Sequence, residues 1–230
     1  MVLEARFGSG SILPECAPRT SLRLEAGFPR HEQAHRERLR AGLLALGASE
    51  DWLDAALDQA LEWARRQAHG APLLALRWVA DPRTNTLHAR LEAIPQMIQP
   101  YTLMPLRHPI STETERSLAP HKGCLGLWNV ETLAEAQTKG AQDALLHRAD
   151  LTVVETAIAA VARLEGRRLF LPPMEGRVRS IAELWDLPTW ADERGWELIS
   201  APISLQEARQ GQLWCFNALR GLWPAECLQT

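Results

Sequence analysis

Lysine is nearly missing from this 230-residue chain. Of its 25 basic residues, only Lys122 and Lys139 are lysines. With 28 acidic residues the formal net charge is -3, so the sequence lacks the basic surplus that nucleic acid or an anionic bilayer would require. Neither partner is expected. Long apolar runs are also absent: none approaches the roughly 20 residues needed to span a membrane. Residues 1–7 carry no basic segment followed by an apolar stretch, so no secretory leader is read there and the expected location is cytoplasmic. Cysteine is sparse. Cys16, Cys124, Cys215 and Cys227 form no CxxC pair or other metal-ligand spacing, which points to free thiols in a reducing compartment and to no metal site. Nine tryptophans stand against one tyrosine, and tryptophan at that level is packing material.

What is present is ordinary for a globular chain with enough length for one good core or two small ones. Residues 1–19 read as irregular. Residues 20–24 read as a strand, and 31–46 as a helix with Leu39, Leu43, Leu44 and Leu46 inward, ended by Gly47. Ser49 is expected to cap a second helix running to about residue 67, closed by His69-Gly70. Its Trp52, Leu53, Ala56, Leu57, Ala60, Leu61 and Ala64 are spaced for one face. The period then changes to two. Residues 72–80 and 87–93 flank the turn chemistry of Asp81-Pro82-Arg83-Thr84-Asn85 and predict an antiparallel hairpin.

Residues 101–106 form another strand candidate, and the polar stretch 108–120 reads as a linker. Beyond it short strands and helices alternate. Strands are expected over 144–147, 151–155, 168–171, 197–203 and 212–216, with helices over 130–139, 180–185 and 189–194. Ser204 and Glu207 spell a capping box. The resulting division is an α+β N-terminal domain over 1–110, a linker over 111–121 and a mixed α/β domain over 122–230.

Two residues carry the chemical interest. Lys122 lies in Leu118-Ala119-Pro120-His121-Lys122-Gly123, and its amine is a nucleophile toward carbonyl groups when activated. Glu155 follows the apolar run Leu151-Thr152-Val153-Val154. A carboxylate at the end of such a strand sits in a poorly solvated place and needs a partner.

The order of motifs resembles the class IV aminotransferase family, the fold-type IV enzymes that use pyridoxal 5'-phosphate. The resemblance runs from about residue 21 to 224. His35-Arg36-Glu37-Arg38-Leu39 is similar to the family's "H-x-x-R-L" segment after a strand, which implies Arg38 as a phosphate ligand; a guanidinium fork suits that dianion. Lys122 falls on the family's cofactor lysine and Glu155 on its acidic partner, 33 residues later. The segment from Ala134 to Leu146 resembles the family's "EA…G-x-DEAL". Glu175-Gly176-Arg177-Val178-Arg179, after Leu171-Pro172-Pro173, is similar to the phosphate-cradling "P-G-I-T-R" stretch. There Gly176 permits close approach, and Arg177 and Val178 would offer backbone N–H groups. Cys215-Phe216-Asn217-Ala218-Leu219 resembles the strand and loop that close the site. That assigns Asn217 and Ala218 to the cofactor's surroundings and is closest in wording to the aminodeoxychorismate lyase branch.

Departures from the family pattern are concentrated in hydroxyl and amide groups. Ala160 stands where the family has asparagine, Leu127 and Trp128 where transaminases carry a tyrosine, and Leu171 where a threonine precedes the prolines. The resemblance therefore implies a two-domain pyridoxal phosphate enzyme of the lyase type, releasing 4-aminobenzoate and pyruvate on the folate route. The cofactor would lie between the domains of a homodimer. Arg23, Arg107 and His108 are the candidate contacts for a substrate carboxylate. The alternatives are an aminotransferase for branched-chain or D-amino acids, and a non-catalytic relative that serves as a binding module.

Overall fold

The computed structural model describes residues 2–8, 15–68, 71–110 and 112–229. The expected helix stop at His69-Gly70 and the segment 9–14 lie outside them. The chain divides into two compact units, one made of residues 1–95 with 121–126, the other of residues 96–120 with 127–230.

The first unit is an antiparallel sheet covered by two helices. Its strands are β1 (Val2–Phe7), β2 (Arg19–Glu25), β3 (Phe28–Pro29), β4 (Leu73–Asp81) and β5 (Thr86–Glu92), in the order β1-β5-β4-β2-β3. Helices α1 (Glu32–Ala45) and α2 (Leu53–Ala68) lie between β3 and β4 in sequence. The register sets Leu22 opposite Leu76, and Leu76 opposite Leu91. With the two-residue period of strands, one sheet face therefore presents Leu22, Leu24, Leu76, Trp78, Leu87 and Leu91. These pack with Leu39 and Leu43 of α1 and Leu53, Leu57, Ala60 and Leu61 of α2. The hairpin of β4 and β5 forms as the alternation predicts.

Two expectations change here. The segment read as irregular contains β1, an edge strand that pairs with β5. Ser49 does not open α2: its hydroxyl accepts the Asp51 N–H at 3.3 Å, and Trp52 Nε1 donates to its carbonyl at 3.1 Å. The Ser49–Trp52 segment is thus a turn, and the helix starts at Leu53.

The second unit contains β6 (Thr102–Arg107), α3 (Glu113–Leu118), α4 (Trp128–Thr138), β7 (Asp143–His147), β8 (Val153–Thr156), β9 (Ala160–Glu165), β10 (Arg168–Leu171), α5 (Ile181–Trp185), α6 (Leu187–Arg194), β11 (Glu197–Ser200), α7 (Leu205–Gln210), β12 (Gln212–Asn217) and β13 (Gly221–Cys227). Its sheet runs β11-β10-β9-β12-β13-β6-β7-β8. Three pairs are parallel, β10 with β11, β13 with β6, and β6 with β7. A tight turn joins β8 to β9, with the Thr156 N–H donating to Ala159 O at 2.9 Å. The core falls into three apolar clusters, centred on Leu103, Leu145 and Trp223; on Leu106, Leu146 and Ala136; and on Leu169, Phe216 and Leu187.

The expected boundary at 110 and linker at 111–121 do not match this division. β6 pairs with β7 and β13 and so belongs to the second unit. Within the stretch read as linker, Thr112 and Glu115 form a capping box that starts α3. Residues 121–126 return to the first unit, where the Ala17 N–H donates to Gly123 O at 3.0 Å and the Arg19 N–H to Lys122 O at 2.9 Å.

Candidate active site

In the first unit, Lys122 is held by its backbone. The two bonds from Ala17 and Arg19 dock its turn onto the entry of β2. Gly123 sits at φ +90°, and a Cβ there would collide with Ala17 O and the Arg19 side chain, so only glycine allows this approach. The Cys124 thiol is buried and donates to Gly42 O of α1 at 3.6 Å. The half-buried Lys122 side chain therefore projects from a turn fixed on both flanks.

Beside it lies His35 of α1, fully buried, with Nδ1 2.6 Å from the Thr20 hydroxyl. Burial pushes this imidazole well below its ordinary pKa, and the charges of Arg38, His31 and Lys122 push it the same way. Two cationic side chains, Arg38 and Lys122, thus act on one neutral ring. Arg38 and Lys122, 84 residues apart in sequence, are brought into a single electropositive neighbourhood.

In the second unit, Glu155 lies on β8 opposite Leu146, with only 5% of its surface exposed. The partner that burial demands is present: Oε1 accepts the Val178 N–H at 3.2 Å and lies 3.7 Å from His108 Nε2. Val178 is presented by a loop that the Arg177 side chain anchors. That guanidinium is 2% exposed, meets both Glu183 oxygens at 2.6 and 2.7 Å, and donates to Pro172 O at 2.9 Å and Pro173 O at 3.1 Å. Gly176 adopts φ +72°, and a Cβ there would lie 3.4 Å from Arg148 Nη2. Arg148 in turn donates to Glu175 O at 2.6 Å.

The remaining sequence candidates are placed as follows. Asn217 closes a turn at the end of β12: Oδ1 accepts the Leu219 and Arg220 N–H groups at 3.0 and 2.8 Å, and Nδ2 donates to Ile158 O at 3.2 Å. Ala218 is half-buried in that turn. Arg23 pairs with Glu25 at 2.8 Å on β2, and Arg107 is exposed at the end of β6. His108 departs from the expected substrate contact, because its ring is buried against Glu155 and Trp128 rather than presented outward. The Val178 N–H, expected at the phosphate, is spent on Glu155 in this structure.

Sequence reasoning did not find Arg148 beside the Gly176 loop, nor Arg177 as the loop's anchor. The available signal for the second was Glu183, six residues on, in the helix that follows two prolines. Among the described residues, no group of three or more His, Cys, Asp or Glu side chains could hold a metal ion.

The family model of amino-transferase class IV matches residues 20–226, and the chain belongs to that family. No curated protein matches it. Solved structures of the same fold include CpuTA1, a fold IV-transaminase from Curtobacterium pusillum. It is 18% identical, with TM-score 0.79, over 94% of this chain and 80% of that one. A hypothetical aminotransferase from Mycobacterium tuberculosis in its PLP-bound form is 15% identical, with TM-score 0.81, over 98% and 91% of the two chains. The 4-amino-4-deoxychorismate lyase from Pseudomonas aeruginosa is 20% identical, with TM-score 0.70, over 99% and 92%. The expected α+β fold-type IV class is thereby shown.

Proposed function

We propose that this protein is a pyridoxal 5'-phosphate enzyme that eliminates pyruvate from 4-amino-4-deoxychorismate to give 4-aminobenzoate. The observation that carries the cofactor assignment is Glu155. It is a carboxylate buried on a strand, and the N–H of the Gly176–Val178 loop and the His108 ring both approach the same oxygen. Such a group fits a protonated ring nitrogen. The cations around His35 and the close backbone at Gly176 fit a phosphate.

When bound, the cofactor supplies an electron sink for charge that develops at the substrate α-carbon. The chain's residues do the rest. Lys122 would anchor the cofactor through its amine, and the same amine would take the substrate α-proton and deliver a proton to the departing three-carbon fragment. Glu155 holds the ring nitrogen protonated. Arg38 and the backbone at Gly176 and Arg177 would hold the phosphate, whereas the Val178 N–H is taken by Glu155. Arg23 and Arg107 remain candidates for the substrate carboxylates.

Elimination is favoured over transamination by what surrounds these groups. Leu127 and Trp128 occupy the region of the transaminase tyrosine, and Trp128 packs on His108 with ring centroids 5.2 Å apart. Asn217 spends both ends of its amide on backbone, and no residue from Asn217 to Gly221 carries a hydroxyl. A lyase needs one proton abstraction and one leaving group, whereas a transaminase must exchange two acids through one pocket. The transaminases among the solved relatives keep amino transfer as the second reading. The test incubates the protein with aminodeoxychorismate and, separately, with L- and D-amino acids plus 2-oxoglutarate or pyruvate. Release of 4-aminobenzoate with pyruvate is the expected result. Efficient amino transfer with no 4-aminobenzoate would assign the protein to the other branch.

A further inference from the structure

His108 follows β6 directly, and its side chain is only 3% exposed. Three neighbours from the same unit define its surroundings. The backbone N–H of Ile110 donates to Nδ1 at 3.2 Å. The Trp128 indole packs on the ring, tilted by 53°. Glu155 Oε1 lies 3.7 Å from Nε2.

The first contact decides the chemistry of the third. A ring nitrogen that accepts a hydrogen bond carries no hydrogen, so the neutral imidazole must carry its proton on Nε2. Among the described residues that N–H is buried with no hydrogen-bond partner, a rare condition for a native polar group. The carboxylate oxygen beside it is just beyond hydrogen-bond range, and a movement of about 0.7 Å would bring the pair to about 3.0 Å.

We infer that His108 is a positioning residue for Glu155. Locked by Ile110 as the Nε2–H tautomer and packed by Trp128, it holds Oε1 together with the Val178 N–H, and so directs Oε2 to the ring nitrogen of pyridoxal phosphate. The inference rests on the function proposed above. It gives His108 a task inside the site rather than at the substrate. It also assigns Trp128 a purpose, because a residue that fixes the imidazole plane fixes the direction of its N–H. The logic is that of an outer residue setting the tautomer and orientation of an inner one.

Two measurements test it. In cofactor-free protein labelled with ¹⁵N-histidine, two-bond proton–nitrogen correlations report the tautomer of each ring, with the His108 signal assigned by its loss in His108→Gln. The Nε2–H form is expected, and an Nδ1–H form overturns the inference. The second measurement reconstitutes wild type, His108→Gln, His108→Leu and Glu155→Gln with ring-¹⁵N pyridoxal phosphate. Wild type and His108→Gln, which retains an N–H donor, should show a pyridinium nitrogen. His108→Leu should move toward the Glu155→Gln position and lose about tenfold in kcat with KM little changed. A pyridinium signal and wild-type kcat in His108→Leu overturn this inference alone. Failure of the wild type to take up pyridoxal phosphate overturns the parent reading and this one with it.

Discussion

Asp143 and Glu155 are both buried carboxylates of the second unit, but their neighbours differ in kind. Asp143 is completely buried at the head of β7. Its Oδ1 accepts N–H groups from Ala144 at 2.8 Å and Ala157 at 3.2 Å, and Oδ2 accepts the Tyr101 hydroxyl at 3.4 Å. Burial outweighs these bonds and pushes its pKa from 3.8 up to about 6. The folded protein thus keeps a proton that the unfolded chain gives up, and the stability linked to it is complete below about pH 4 and lost as pH rises through about 6. At about 1.4 kcal/mol per pH unit, the loss is on the order of 3 kcal/mol. Asp143→Asn keeps the acceptor for Ala144 and Ala157 without titrating. The stability of wild type relative to this variant should therefore fall by about that amount between pH 4 and pH 7, read by urea denaturation at both. A pH-independent difference would refute the assignment. Glu155→Gln is a test of function rather than folding. Its amide oxygen can still accept the Val178 N–H, so thermal stability should hold, while turnover falls about tenfold or more, at 1.4 kcal/mol per decade. An active, fully coloured Glu155→Gln protein would count against a ring-nitrogen contact.

Elements of this fold are secured by polar side chains whose cost of removal depends on what the element buries. Two capping boxes show the contrast. Thr112 and Glu115 start α3, and Ser204 and Glu207 start α7, each with both reciprocal bonds present. α3 buries none of its residues, whereas α7 buries Leu205 and Ala208. Ser204→Ala should cost about 1 kcal/mol in global unfolding; Thr112→Ala should be nearly silent there, because α3 can fray alone. Equal costs would contradict this. The loop before α5 depends on one residue to a greater degree. Arg177 fastens its prolines and Glu183 together from a nearly solvent-free position. Removing one partner of such a pair leaves a charge stranded, so Arg177→Met should destabilise by about 3–5 kcal/mol. Arg177→Lys, which keeps the charge but not the fork, should fall between it and wild type. A cost under about 1 kcal/mol for the methionine variant, the level of an exposed pair, would show that the anchor is dispensable.

Across the whole molecule, the parts legible in the sequence are those written in local pattern. The period-two run around Leu87 gave the hairpin, and Ser204-x-x-Glu207 gave the start of α7. The apolar run ending at Glu155 showed that a carboxylate would be buried and would need a partner. The partner's identity was not legible, since His108 and Val178 reach Glu155 from 47 and 23 residues away, the first across the neighbouring strands β6, β7 and β8 and the second from a loop. β13 was hidden by Pro224, which is tolerated because β13 meets β6 only at Glu226 and Cys227, so the proline is paired on one side alone, at Trp214 of β12. β9 was hidden by its alanines, which carry no strand signal. The division into units was not legible because residues 121–126 leave their sequence neighbours and join the first unit. This gives the proposal a demanding consequence. Lys122 and Arg38 belong to the first unit, and Glu155 and the Gly176 loop to the second. Cofactor binding through the residues proposed above should protect segments that are far apart in sequence. Adding pyridoxal phosphate to cofactor-free protein should slow amide hydrogen exchange both over residues 121–126 and over 175–178. At a hundredfold excess over Kd, binding should also stabilise the chain by about 2.7 kcal/mol. Borohydride reduction followed by peptide mapping should then find the label on Lys122, not Lys139, whose amine lies 2.6 Å from Glu135 on the exposed face of α4. Protection of only one segment would show that the cofactor does not engage both sets of residues, and a label on Lys139 would remove Lys122 from the mechanism.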